Sequence, residues 1–348
     1  MSALRNSVGR MALWIAALAC CANAQAQETH TDGERLPGRG WLVPGTSLNL
    51  GGYASGGYVD LRDAPAMFEI DDLSFITHWE SEGRWRLFAE IELKDVFAFQ
   101  PGHGRVSSRS YLGLERLYAD YVHTAAVNLR IGKFLTPIGR WNLVHADPLV
   151  WTTSRPLITE KTFPTNTTGL MLFGSTPLLG RSIDYSFYSA TGREWRPDPD
   201  LDPFEDAFGM HASVPVSKNA DFGVSLVSFE QREAHGERRQ LVGFDYNWVR
   251  GRYEVSAEAA YRFSERGGGF DERGMFLQGV APFTQRLYGV ARYEYFDAAG
   301  PSTATHIWLA GLAYKLGPAF VLKAEYRQST RFAPLAPDGL LTSVSVLF

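Results

Sequence analysis

The chain has 348 residues, a formal net charge of -4 and no run of Lys and Arg. That balance excludes a global field for polyanions, so no nucleic-acid partner is expected. Aromatics reach 13% and Gly 34, a mixture that favours strands and turns.

At the start, Arg5 and Arg10 precede a short apolar run, Met11 to Ala19, and small residues follow to Ala26. Residues 1–26 read as a secretory signal peptide, 27–46 as a short periplasmic N-terminal segment, and 47–348 as one domain. Both cysteines, Cys20 and Cys21, lie in the leader, so the mature chain has no thiol nucleophile or thiolate metal site. No later stretch approaches the length of a transmembrane helix, but a closed barrel of alternating strands crosses a bilayer without one.

From residue 47 onward the pattern has period two. In Arg84 to Leu93, Trp85, Leu87, Ala89, Ile91 and Leu93 share one face, while Arg84, Arg86, Glu90 and Glu92 share the other. In Arg252 to Phe263 an apolar face opposes Arg252, Glu254, Glu258 and Arg262. These eight charged residues are read as facing a barrel lumen. Sixteen such segments follow, at 47–61, 69–80, 84–97, 115–123, 126–134, 168–176, 181–191, 206–216, 219–230, 239–249, 252–264, 273–281, 284–297, 304–316, 319–329 and 339–348. Parity is ambiguous in the twelfth and thirteenth. Short and long connectors alternate throughout, as expected of an all-β transmembrane antiparallel β-barrel with short periplasmic turns and long external loops.

The longest connector, 135–167, contains Trp141, Leu143, Leu149, Trp151, Leu157, Ile158 and Phe163, too apolar for disorder. It either folds into the lumen or packs over the rim or against a neighbouring subunit. Arg140, Asp147, Arg155 and Lys161 on it, with Arg130 and Lys133 on the strand before it, are the candidate solute contacts. Across the lumen, ten basic and ten acidic side chains take inward parity, a near-neutral balance that leaves ion selectivity open. The eight histidines are isolated, and neither G-x-S-x-G nor H-E-x-x-H occurs. No enzyme, metal or cofactor is expected.

The ladder, the leader, the terminal Phe348 and the stretch LRIGKFLTPIGRWN (Leu129 to Asn142) together resemble the bacterial outer-membrane porins, loosely the phosphate-selective group. The resemblance implies a water-filled pore, an inward-folded loop and a homotrimer. It also implies that Val344, Val346 and Phe348 form a closing strand read by the barrel-assembly machinery. The expected function is passive diffusion of small hydrophilic solutes across the outer membrane of a Gram-negative cell, with 135–167 narrowing the pore. Both termini are placed in the periplasm, and outer-membrane lipid and lipopolysaccharide are the surrounding partners. Two alternatives remain: an anion- or phosphate-selective channel with a basic constriction, and a plugged barrel serving as adhesin or scaffold.

Overall fold

A computed structural model describes residues 35–36, 40–106, 110–144, 146–178, 180–191, 194–195, 202–233, 236–267, 270–300, 304–330 and 335–348. The leader, 1–26, lies outside them. Among the described residues nineteen strands form a single sheet, three of them short pieces at Arg35–Leu36, Gly40–Leu42 and Gly104–Val106. The other sixteen form the barrel wall. They are β1 Leu48–Leu61, β2 Met67–Glu80, β3 Trp85–Gln100, β4 Tyr111–Val122, β5 Asn128–Leu135, β6 Asn166–Leu178, β7 Arg181–Thr191 and β8 Phe204–Ser217. They continue with β9 Ala220–Gln231, β10 Arg239–Arg250, β11 Tyr253–Ser264, β12 Glu272–Pro282, β13 Leu287–Asp297, β14 Thr305–Lys315, β15 Phe320–Ser329 and β16 Gly339–Leu347. All sixteen segments expected from alternation are present. The expected start of β4 is the most displaced, four residues late, for a reason given below.

Each strand pairs antiparallel with its chain neighbours, and β16 closes on β1, from Gly339 opposite Leu61 to Leu347 opposite Tyr53. Phe348 extends that seam by exchanging two backbone hydrogen bonds with Gly52, at 2.9 and 3.0 Å. Closure removes the bare edges that would otherwise template aggregation. Gly40–Leu42 lies beside the start of β1, with Trp41 opposite Leu50.

The polarity of the wall is inverted relative to a soluble core. Leu87, Ile91, Leu129, Ile131, Phe187, Phe208, Phe244, Leu277 and Leu312 point outward and are exposed. Ser74, Glu90, Glu92, Ser225, Gln278, Arg292, Glu294, Lys323 and Glu325 point inward and are buried. Burying a charge is costly unless it is paired, so the interior has to be a network of partners.

β12, β13 and β14 carry apolar as well as polar side chains on the inner face, and in β12 and β13 this makes the alternation ambiguous. Phe276 and Val280, Val290 and Phe296, and Ile307 and Leu309 point inward and are buried. Their partners come from the long loop: Trp141 and Ile158 pack on Phe276, and Leu157 packs on Phe296 and Ile307.

Between β15 and β16, Asp338 accepts hydrogen bonds from Ser329 N at 2.7 Å and Ser329 Oγ at 2.9 Å. The backbone bond from Ser329, despite opposing desolvation, holds its carboxyl below the usual range, and Arg62 adds to the effect. A depressed folded value means that the stabilisation is complete above the unfolded value, roughly 3.9. It is lost as pH falls through the lower folded value. Asp338→Asn should therefore lower the urea midpoint at pH 7, and the gap to wild type should close toward pH 2.

Candidate functional site

The interior is organised by how the 135–167 loop is held to the wall. It contains two 3₁₀ turns, Trp141–Val144 and Asp147–Leu149, and one short helix, α1, Leu157–Lys161. At its neck, Thr136 N donates to Thr165 O at 2.8 Å, and Asn142 Nδ2 donates to Thr136 O and Thr165 O at 2.8 and 2.9 Å. The Pro137-Ile138-Gly139 turn then aims three successive backbone N–H groups at the wall. Gly139 donates to Ser225 Oγ on β9 at 3.1 Å, and Arg140 and Trp141 donate to Glu258 Oε1 on β11 at 2.8 and 2.6 Å. Gly139 adopts φ +63°, and a Cβ there would lie 2.3 Å from Glu258 Oε2. The positive φ favours glycine, and any side chain there would displace the Glu258 carboxylate.

The same device recurs further along. Trp151 Nε1 donates to Glu254 at 3.0 Å, Thr153 N and Ser154 N donate to Glu325 at 2.8 and 2.9 Å, and Leu157 N donates to Glu294 at 2.8 Å. Arg292 Nη1 donates to Thr152 Oγ1 and Ser154 O, and Arg292 Nη2 to Ser154 Oγ. Lys323 Nζ donates to Asp147 Oδ1 and to the carbonyls of Asp147 and Thr152. Arg262 donates to Thr162 O and pairs with Glu272. Four wall carboxylates thus accept loop N–H groups, and hydrogen bonds to a charged group contribute roughly 1.5–3 kcal/mol each. The loop lies against the inner face of β9 and β11 to β16.

The sequence-predicted contacts divide into engaged and unengaged groups. Arg130 makes a bidentate pair with Asp120, at 2.7 and 2.9 Å, and its guanidinium stacks 3.7 Å from the Tyr118 ring. Lys133 is 3% exposed and binds Glu194 and Trp195 O. Asp147 pairs with Lys323, and Lys161 with its neighbour Glu160. Arg140 and Arg155 have no side-chain hydrogen bond or ion pair among the described residues. They face different cavities, Arg140 one of about 630 Å³ and Arg155 one of about 230 Å³.

The residues read as lumen-facing also separate by depth. Glu90 is buried, accepting from Ser74 Oγ and pairing with Arg116 at 2.5 Å. Glu92 accepts from Tyr53 OH at 2.6 Å and pairs with Lys94. Glu254, Glu258 and Arg262 hold the loop, as above. Arg84, Arg86 and Arg252 sit at the short-turn end and are exposed: Arg84 bonds His123, Arg86 pairs with Glu80, and Arg252 donates to the carbonyls of Thr284 and Gln285. Val344 and Val346 lie on β16 opposite Gly56 and Ala54 of β1, and the Phe348 ring meets Phe75 edge-on at 6.3 Å.

Strict alternation misses two doublets. In β4, Arg116 opposes Glu90 while Leu114 opposes Ile91, so Glu115 is an extra residue. Leu112 and Leu117 are both exposed, and Glu115 and Arg116 both turn inward, Glu115 onto Lys94 at 2.9 Å. This bulge interrupts the alternation and explains the late start read for β4. In β2, Asp71 is extra between Ile70 and Asp72. The only sequence signal is two adjacent charged residues inside an otherwise alternating strand.

No protein-family model matches the chain. A stretch of 183 residues, 52% of the chain, is 29% identical to an uncharacterized protein of Aquifex aeolicus. Another of 210 residues is 28% identical to a Deinococcus radiodurans protein named alanine–tRNA ligase. The matched stretches span 38% and 21% of those proteins. Solved structures decide the fold. An anion-selective porin from Comamonas acidovorans superposes with a TM-score of 0.57 at 14% identity, over 87% of this chain and 98% of that one. Salmonella typhi OmpF gives 0.61 at 11%, over 87% and 98%. The chain has the porin fold. Vibrio cholerae OmpT shares it, with 0.60 at 10% identity over 88% of this chain and 100% of that one.

Proposed function

We propose that this porin-fold chain is an outer-membrane channel for passive diffusion of small hydrophilic solutes, narrowed by the 135–167 loop. The observation that carries the reading is the loop latched across a polar interior by Glu254, Glu258, Glu294 and Glu325. A barrel with an apolar outer face and a charged, partly open interior suits a bilayer and an aqueous path. Solutes pass by size and by the charge of the remaining opening, with no energy coupling and no cofactor.

In this reading the termini and short turns face the periplasm, residues 1–26 are removed, and β16 with Phe348 is recognised during assembly. The outer face meets lipid and lipopolysaccharide. A homotrimer is part of the proposal, supported by a trimer form of Vibrio cholerae OmpT among the similar structures.

Purified full-length protein in a planar bilayer should give stepwise conductance. A closed barrel with no conductance would favour the plugged adhesin or scaffold. A soluble periplasmic monomer would overturn the membrane assignment altogether.

A further inference from the structure

The smaller cavity lies between the wall and the tip of the loop. Ser55, Asp71 and Asp72 bound it on one side, and Asp147, Thr153 and Arg155 on the other. Asp71 and Asp72 are both there because of the β2 bulge. Ser55 opposes Asp72 while Gly56 opposes Ile70, and toward β3 the register skips in the same place. Ile70 and Leu73 both point outward, 46% and 41% exposed, so the two residues between them turn inward. A regular strand would present only one.

Neither carboxylate makes an ion pair among the described residues, although Lys94 lies opposite Asp72 across the β2–β3 ladder and Arg155 lines the same cavity. Among the described residues Asp71 has no hydrogen bond or ion pair, and Asp72 has only a 3.4 Å contact from Ser55 Oγ. The nearby wall cations are engaged elsewhere: Lys94 on Glu92 and Glu115, Lys323 on Asp147, and Arg292 on Glu294. The uncharged lining comes from the hydroxyl-bearing Ser55, Thr152, Thr153, Ser154 and Ser343 and from the apolar Trp141 and Val150.

The larger cavity does not restore the balance. Its Arg116 and Arg130 are paired with Glu90 and Asp120. Among the described residues Asp184 and Asp221 line it without a side-chain partner, Asp245 is bonded only to His211, and Arg140 is the unpaired cation there. Among the described residues lining these two cavities, the charges without an ion pair or hydrogen-bonded partner of opposite charge are therefore four carboxylates, Asp71, Asp72, Asp184 and Asp221, against two guanidiniums, Arg140 and Arg155. Paired charges cancel at the distance of a passing ion, so unpaired ones set the preference.

We infer that Asp71 and Asp72 make the channel cation-preferring, admitting small inorganic cations and amines ahead of anions of equal size. This rests on the diffusion-channel reading. It also gives the chain the opposite preference from the Comamonas porin, described as anion-selective, whose fold it shares.

The test is the reversal potential of the full-length protein in a planar bilayer under a KCl gradient. Wild type should favour K⁺ over Cl⁻. The isosteric double variant Asp71→Asn/Asp72→Asn breaks no ion pair, so it should keep a similar conductance. Its permeability ratio should fall roughly fivefold, the scale for two solvated charges acting within a Debye length. Arg155→Gln should move the ratio the other way. Cl⁻ preference in the wild type, or an unchanged ratio in the double variant, would overturn the inference and leave the channel standing. Absence of any conductance in both proteins would overturn the channel reading and the inference with it.

Discussion

Gly139→Ala should raise single-channel conductance while leaving the barrel folded. Position 139 sits at φ +63°, which costs a side-chain-bearing residue roughly 1–2 kcal/mol. The new Cβ would also fall 2.3 Å from Glu258 Oε2. That carboxylate is the end of a flexible side chain and will move aside. Its displacement is the damage, because Arg140 N and Trp141 N then lose their acceptor in a buried place. An orphaned buried donor costs roughly 1–3 kcal/mol. The sum exceeds what one latch contributes, so the root of the loop should detach while the latches at Glu294 and Glu325 remain. Glu258→Ala should reproduce the conductance gain without backbone strain, and Glu258→Gln, which keeps an acceptor oxygen, should show less of it. Bilayer recordings paired with thermal melts separate loop release from barrel loss. A normal conductance in Gly139→Ala would mean that the loop root does not limit the pore.

Gly52→Val should prevent barrel closure. Gly52 bonds Phe348 across the seam, and a Cβ on it would lie 2.1 Å from Ser74 O and 2.9 Å from two atoms of the Phe348 ring. The ring can rotate, but the carbonyl is backbone inside the β1–β2 ladder and cannot yield without breaking register. Valine adds further atoms to the same spot. Overpacking against a fixed backbone belongs to the severe end of substitutions, roughly 3 kcal/mol or more. The strands to either side then carry open edges, so the expected phenotype is unfolded or degraded protein. Heat-modifiable gel mobility and outer-membrane yield read this directly. Gly279→Ala is the matched control, since a Cβ there meets nothing within 4 Å. If Gly52→Val folds with wild-type yield, the seam is more plastic than its geometry indicates.

Two kinds of charge pattern in the interior look alike in sequence and act differently. Glu254, Glu258, Glu294 and Glu325 have the inward parity of pore-lining acids, yet their carboxylates are occupied by loop N–H groups. Their oxygens are turned to the loop and away from a passing solute, although among the described residues only Glu294, with Arg292, forms an ion pair. Arg130 and Lys133 are likewise held by Asp120 and Glu194. What reaches the solute is the remainder, set by which partners the fold brings within reach.

The sixteen strands were legible because period-two alternation is a local property and an inverted barrel repeats it in nearly every strand. The alternation of short and long connectors then gave the closed antiparallel order, and Phe348 marked the closing strand. Two things were illegible, for different reasons. Asp71 and Glu115 are bulge residues, and a bulge is defined by counting residues against the partner strand, which a single strand does not carry. The seat of the 135–167 loop was hidden because Phe276, Phe296 and Ile307 are apolar where a lumen should be polar; they acquire meaning only when Trp141, Leu157 and Ile158 pack on them. Local periodicity sufficed to locate every strand and, outside β12, β13 and the bulges of β2 and β4, its outer face. Which inward charges are neutralised, and which remain for a solute, depends on contacts between residues more than 100 positions apart, such as Glu258 with Trp141 and Glu325 with Ser154, and only the tertiary structure decides those.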